Sequence, residues 1–513
     1  MNANKTADSS PPALSFFGQS RILLILAVLL VFGLGIGVRL INLTNPPLDF
    51  HAWRQLHSAS IARGYYYRML PAADPVLRQK AIAIGNSAGF MEPTVNESIV
   101  AITYRLVGHE YLWIARLYAI LYWVIGGIGL FLLARRITSV DGALLTEAVY
   151  MLVPFGIYAS RSFQPDPLMV MWIIWAAYAL YRWSETQTMK WAILAGLFSG
   201  IAVFIKVFAV FPIAAIALLL TLYTWPLRKA IKQPQVWVAA GIMVFIPAIY
   251  YILIMGSQGP SYISGWMLGF SGLLTKGWFY KRWLDMLDNL IDLVLVLAAI
   301  AAMLVLPGRG RILLVGMWLG YLCIGLSVPS LIITHNYYNL YAVPLTALSL
   351  APLGQLFMAK LAKQGILWKG IFFGVAAVGL FFSVWNTRIE LLRVNYREEI
   401  LGWIKMGEEL PQGARIIGIT HDYNQRLAYY GWTLVQSWPL IADQEMMVLA
   451  GGNMDVNDPY WDTYFQSRIA NADYFLVTDM AELDSQPRLK ADLSRYPYTQ
   501  GEGYILYDLR PNK

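Results

Sequence analysis

The feature that most constrains this chain is a succession of long apolar runs. They lie at roughly 21–43, 111–134, 142–160, 166–183, 191–205, 207–224, 236–255, 287–306, 311–329, 336–357 and 367–386. A helix needs about 20 apolar residues to cross a hydrocarbon core, so the runs predict about eleven membrane spans. The 191–224 stretch reads as two short helices broken near Lys206. Composition agrees: 58% of the 513 residues are hydrophobic and 14% are charged, which is more apolar surface than a soluble chain can cover. The run from Arg21 to Leu43 is too long for a typical signal core and lacks a small-residue cleavage site after it. It reads as an uncleaved first span behind a polar cytoplasmic tail, residues 1–20.

The basic residues set the orientation. With the N-terminus in the cytoplasm, alternate loops carry Arg135 and Arg136, then Arg182 and Lys190, then Arg228, Lys229 and Lys232. Arg309 and Arg311 follow, then Lys360, Lys363 and Lys369, all on the same side, as the positive-inside rule requires. The net charge of +8 is therefore mainly a topology signal, and a nucleic-acid partner loses its support. The chain divides into the tail 1–20, a membrane module 21–387 with a large outer loop 48–110, and a polar segment 388–513. An odd number of spans places that last segment outside the cytoplasm, across an inner (plasma) membrane. "NYREEILGWIKMGEEL" predicts a helix there, and "ARIIGIT", "DYFLVTD" and "GYILYDL" predict strands, so it reads as a small α/β domain. Cys323, the single cysteine, lies within an apolar run and forms no intrachain disulfide.

The unusual polar residues collect on the outer side. The first loop carries Asp49, His51, Trp53, Arg54, His57 and Glu92, and the next turn, "SRSFQPDPL", carries Arg161 and Asp166. Lys206 stands at the break, Arg282 in the long loop 256–286, and His335, Tyr337 and Tyr338 in "THNYYNLY". Ionisable groups beside lipid are costly unless they face a cavity or a partner, so their convergence predicts one site at the outer interface. Each also has a plainer explanation. Asp166 followed by Pro167 is a common helix start. Lys206 can snorkel to the interface, and the Tyr and Trp residues can form an interfacial belt. Arg282 can meet headgroups. Asp49 follows Pro46 and Pro47, which stop the first helix. If "DFHAWRQLHSASIAR" is a helix, Asp49, Trp53 and Arg54 share a broad face along the membrane surface. An acid held there beside cations suits a base acting on a lipid-borne phosphate ester; the alternative is a capped interfacial helix.

Five stretches, in order, resemble the integral-membrane glycosyltransferases of the C type (GT-C fold). The likeness is to bacterial members related to the protein O-mannosyltransferases and the lipid A aminoarabinose transferase. "DFHAWRQ" resembles the acidic first-loop motif at Asp49. "MEPTVNESIVAITYRLVGHEYLWIARL" resembles the segment leading into span two, at Glu92 and Arg116. "SRSFQPDPLMV" resembles the second acidic turn at Asp166, "GIAVFIKVFAVFP" the Gly…Lys stretch at Lys206, and "THNYYNLYAVPLTAL" the late stretch at His335, Tyr337 and Tyr338. The mannosyl branch often has two adjacent acids in the first loop, whereas Phe50 follows Asp49 here.

The resemblance implies a mostly α, polytopic enzyme that moves a sugar from a polyprenyl-phosphate carrier to an acceptor hydroxyl, with inversion. It implies Asp49 as general base, with Asp166 positioning the acceptor or holding Arg54. Arg54, Lys206 and Arg282 would bind the donor phosphate. Trp53, Glu92, His335, Tyr337 and Tyr338 would line the substrate site. The acceptor could be a lipid, a glycan or a protein. The chain shows no P-loop and no dinucleotide glycine fingerprint, in keeping with a lipid-borne donor. His51, His57, Glu92 and His335 are of metal-ligand type but lack ligand spacing, so no metal is assigned, although some relatives carry a divalent cation. The alternatives are a transporter or flippase, which would favour midplane charges and inverted repeats, and a lipid-linked oligosaccharide ligase or polymerase.

Overall fold

The computed structural model describes residues 15–89, 92–254, 265, 267–449 and 459–510. Among these, seven helical segments are long and apolar enough to cross a membrane: Arg21–Leu40, Leu112–Ile137, Val207–Thr224, Pro234–Ile254, Gly308–Ser327, Asn336–Ala362 and the segment starting at Ile366. The other four expected runs are helical but interrupted, short or charged. The run at 142–160 is Val140–Leu152 and Pro154–Ala159, parted at Pro154. Asp166–Thr186 carries Asp166, Arg182 and Glu185, and Met189–Ile205 has 17 residues. The run at 287–306 is not straight. Gly277–Ile291 meets Leu293–Val305 at 94°, across Asp292 with φ 83°, and Asp292 then caps the second helix through Val294 N. The loop expected at 256–286 thus contains most of an amphipathic helix. The boundary expected at 387/388 falls inside the helix Ile366–Arg393.

Local signals explain the helix starts. Ser20 accepts from Leu23 N, and Ser139 accepts from Gly142 N, each satisfying a donor the first turn cannot. Close backbone contacts then set the packing. A Cβ on Gly320 would lie 2.2 Å from Pro212 Cα, so Gly308–Ser327 and Val210–Thr224 touch backbone to backbone, as small residues permit in membranes. In the first loop, Gly85 meets Gly64 in the same way and seats Pro75–Ser87 against Ala52–Arg68. At the core, the Trp123 and Tyr150 rings stack at 4.2 Å, and each polar tip bonds the other's backbone carbonyl.

The two ends of the bundle differ. At one end Arg136 and Arg182 share Glu185, and Asp141 receives Phe16 N and Phe17 N. At the other end lie the first-loop helices, the 160–166 turn, Lys206 and the 335–338 stretch. The C-terminal domain docks at that second end. Its sheet runs β2 (Val435–Ser437), β1 (Ile416–Ile419), β3 (Tyr474–Val477), β5 (Tyr504–Asp508) and β4 (Tyr498–Gly501). β1 is parallel to β2 and β3, and the remaining pairs are antiparallel. The helix expected over "NYREEILGWIKMGEEL" is Arg397–Glu409. The domain is clamped by Arg63, whose guanidinium lies between the Tyr429 and Trp432 rings at 3.7 and 4.3 Å and pairs with Glu110 at 2.9 Å.

Candidate active site

Two acid–cation pairs organise the site. The first is built on the turn after the first helix. The helix ends at Leu40, ahead of Pro46 and Pro47 and not at them as expected, and Arg116 reaches into the turn that follows, donating to the carbonyls of Leu43 and Pro46 and to Asp49 Oδ1 at 2.7 Å. Gln55 braces the same turn: its amide donates to Phe50 O, and its oxygen accepts from Phe163 N. Both described hydrogen bonds of Asp49 fall on Oδ1, from Arg116 and, weakly, from Gln55 at 3.4 Å. Oδ2 carries none. The Asp49 side chain is 25% exposed and lines a cavity of about 560 Å³, with Phe50, Phe155, Asn336 and Tyr396 among its walls.

The second pair lies deeper. Lys206 leaves the helix Met189–Ile205 in an extended conformation, and its Nζ meets Asp166 Oδ1 at 2.8 Å and Glu92 Oε1 at 3.9 Å. Asp166 is 1% exposed, and its Oδ2 has no partner among the described residues. The helix begins at Asp166 itself, after Pro165, and the side chain caps no backbone group. The plain capping explanation therefore fails. The Tyr337 and Tyr338 rings cover the ammonium at 5.1 and 4.3 Å. Glu92 also pairs with Arg54, whose Nη1 lies 3.3 Å from His57 Nδ1.

Electrostatics follow from this burial. Burial opposes ionisation of Glu92, but Arg54 and Lys206 outweigh it and hold the carboxyl below its usual range. Burial, with Arg54 adding repulsion, pushes His57 down to about 4, so the imidazole is neutral near pH 7. Burial does the same to His335, also to about 4, with His51 adding to it. His51 joins the two pairs. Its backbone is left-handed (φ 46°), its Nε2 meets Asn336 Oδ1 at 2.7 Å, and its ring lies edge-on to Tyr337 at 4.9 Å.

The structure thus brings together Arg54, Glu92, Asp166, Lys206, Tyr337 and Tyr338, with His335 beside them. Asp49 does not share a helix face with Trp53 and Arg54. The helix starts at Ala52, and Asp49 turns to Arg116 while Arg54 turns to Glu92. Asp166 holds Lys206 instead of Arg54. Trp53 lies between His57, at 5.5 Å, and Tyr423 of the C-terminal domain, at 6.4 Å. Arg282 stands apart, over the Trp278 ring in a groove shared with Ile441 and Gln444. Sequence reasoning missed Gln55 and Asn336 as braces; a neutral amide amid apolar and aromatic residues was the only local sign of either. Among the described residues, no group of three or more His, Cys, Asp or Glu is arranged to hold a metal ion.

Comparison with known proteins gives this geometry a context. Residues 92–251 match the family model described as dolichyl-phosphate-mannose-protein mannosyltransferase. The fold is similar to ArnT from Cupriavidus metallidurans bound to undecaprenyl phosphate, with TM-score 0.55, 13% identity, and coverage of 94% of this chain and 97% of that one. It is also similar to the archaeal oligosaccharyltransferase AglB from Archaeoglobus fulgidus in complex with an inhibitory peptide and a dolichol-phosphate. There the TM-score is 0.55 at 13% identity, covering 97% of this chain and 75% of that one. Among curated proteins no sequence match is found. The resemblance read from the sequence holds: this is a multi-pass membrane protein with the C-type glycosyltransferase fold.

Proposed function

We propose that the chain transfers a sugar from a polyprenyl-phosphate carrier to an acceptor hydroxyl, at the extracytoplasmic face of the membrane. The observation that carries this reading is the pairing of a reachable carboxylate with a buried cation cluster at one end of the bundle. Asp49 offers an unengaged oxygen to a cavity large enough for a sugar acceptor. Lys206 has three N–H donors, and Asp166 takes one at short range. A phosphate oxygen that enters beside the tyrosine rings would meet the others, with Arg54 adjacent through their shared Glu92.

The step is a single displacement. Asp49 Oδ2 takes the acceptor's hydroxyl proton as that oxygen bonds to the anomeric carbon from the face opposite the phosphate. The bond from the anomeric carbon to the phosphate oxygen breaks, and its electron pair leaves on polyprenyl phosphate. Lys206 and Arg54 stabilise that charge in a water-poor site, where fixed cations act most strongly. Arg116 fixes the orientation of Asp49. Tyr337 and Tyr338 shield Lys206 and present aromatic faces to the sugar. The two similar structures hold undecaprenyl phosphate and dolichol-phosphate, which supports a lipid-borne donor.

The test is reconstitution in liposomes with single sugars on polyprenyl phosphate, followed by mass analysis of the lipid released. Polyprenyl monophosphate and an acceptor heavier by one sugar are expected, with an inverted anomeric centre by NMR. Turnover only when the donor is a glycan on polyprenyl diphosphate, with release of polyprenyl diphosphate, would favour a lipid-linked glycan ligase instead. Transport of the intact donor without bond cleavage would overturn the reading.

A further inference from the structure

A second cavity, of about 570 Å³, lies between the first-loop helix Pro75–Ser87 and the sheet of the C-terminal domain. That volume is in the range of small-ligand sites. Its polar lining is unusual in kind. Asn424, Asn471, Gln425 and Gln436 supply amides, Ser87 and Ser437 supply hydroxyls, and none of the described lining residues is a carboxylate. Arg415 lies at the edge, but its guanidinium is held by Asp473 at 3.0 Å. The cavity thus offers neutral groups that both donate and accept, with no uncommitted charge.

An independent observation points to a ligand. Asn424 is 5% exposed, and its Oδ1 has no hydrogen-bond partner among the described residues. A buried amide oxygen is normally satisfied, so an unpartnered one on a residue that lines the cavity needs an explanation. The backbone that places it is also strained. Asp422, Tyr423 and Asn424 all have positive φ (50°, 50° and 73°), and such strain on non-glycine residues clusters at functional sites. Tyr423 is also among the lining residues, and its hydroxyl donates to Asp443 at 3.0 Å. Its ring also meets Trp53 of the membrane module edge-on at 6.4 Å.

We infer that this cavity is a binding subsite for a neutral glycan. Its amides and hydroxyls match the donor and acceptor pattern of sugar hydroxyls, and Tyr423 provides a face for the apolar side of a pyranose ring. The subsite would hold a glycan portion of a substrate beside the transfer site. Binding is read without turnover, so this inference stands or falls separately from the transfer chemistry.

The experiment uses the full chain in a detergent without a sugar headgroup. Saturation-transfer NMR is run against a panel of glucose, galactose, mannose and N-acetylglucosamine, their β-linked disaccharides and glucose 6-phosphate. At least one neutral sugar is expected to bind, with affinity falling tenfold or more in Asn424→Ala and in Gln436→Ala, and unchanged in Asp49→Asn. Gln436 sits on an exposed strand position, so its variant tests the site even if Asn424→Ala misfolds. The inference is overturned if no neutral sugar binds, if only the phosphorylated sugar binds, or if the folded variants bind as tightly as the parent.

Discussion

Asp49 and Asp166 have the same local chemistry and opposite surroundings. Each gives one oxygen to a cation, at 2.7 Å to Arg116 and at 2.8 Å to Lys206, and each leaves the other oxygen without a described hydrogen bond. Asp49 is a quarter exposed and lines a cavity, whereas Asp166 is 1% exposed and sits under two tyrosine rings with its lysine. Reach separates their roles. An acid that a hydroxyl can approach can accept its proton; an acid sealed behind a lysine can only hold that lysine in place. The difference also predicts where damage shows: in turnover alone at the first pair, in stability and donor binding as well as turnover at the second.

The largest expected effect tests the first half of that contrast. Asp49→Asn keeps the shape and the Arg116 contact but removes the base, so turnover should fall about 10²–10⁴-fold, measured by product mass, with expression intact. At the second pair, Lys206→Met strands a buried carboxylate, and breaking such a pair costs about 3–5 kcal/mol, visible as a lower melting temperature in detergent. Replacing both, Lys206→Met with Asp166→Leu, should recover most of that stability and none of the activity. If the double variant melts no higher than the single one, the pair is not the stabilising unit described here.

Acid sensitivity should also belong to the buried side. His57 is held neutral, near 4 against an ordinary 6.5. Because the folded value is the lower one, its contribution is present above pH 6.5 and is lost as pH falls from about 6.5 to about 4. The loss amounts to about 3 kcal/mol if the shift is fully expressed. Melting curves from pH 7 to 4 should show the fall in the parent and a flatter course in His57→Gln. The smallest effect is expected at Arg282, which lies outside both pairs. Arg282→Ala should change turnover by less than about twofold, as surface substitutions usually stay within about 0.5 kcal/mol. A larger loss would bring that cation back to the donor.

Much of this contrast was legible in the sequence, for physical reasons. The break at Lys206 follows from two apolar runs joined at a charge, since one unbroken helix over 191–224 would be far longer than a span. The gathering of the polar loops at one end of the bundle was anticipated from charge asymmetry. β1, β3 and β5 were readable as apolar strands, whereas of the two edges β2 has only three residues and β4 is largely exposed and polar, and neither gave a signal. The partners of the acids were not readable. Arg116 lies 67 positions from Asp49 and Lys206 lies 40 from Asp166, and no periodicity links residues across separate helices. The surroundings of Arg282 were equally unreadable: its helix bends by 94° at Asp292, and Arg282 shares a groove with Ile441 and Gln444 of the C-terminal domain.

The division of labour between the two acids is tested most directly by measuring polyprenyl-phosphate affinity and turnover together in Asp49→Asn and Asp166→Asn. Turnover should collapse in both. Lipid-phosphate affinity should stay at the parent value in Asp49→Asn and weaken in Asp166→Asn, where Lys206 loses its anchor. Equal weakening in the two variants, or full turnover in Asp49→Asn, would contradict the account.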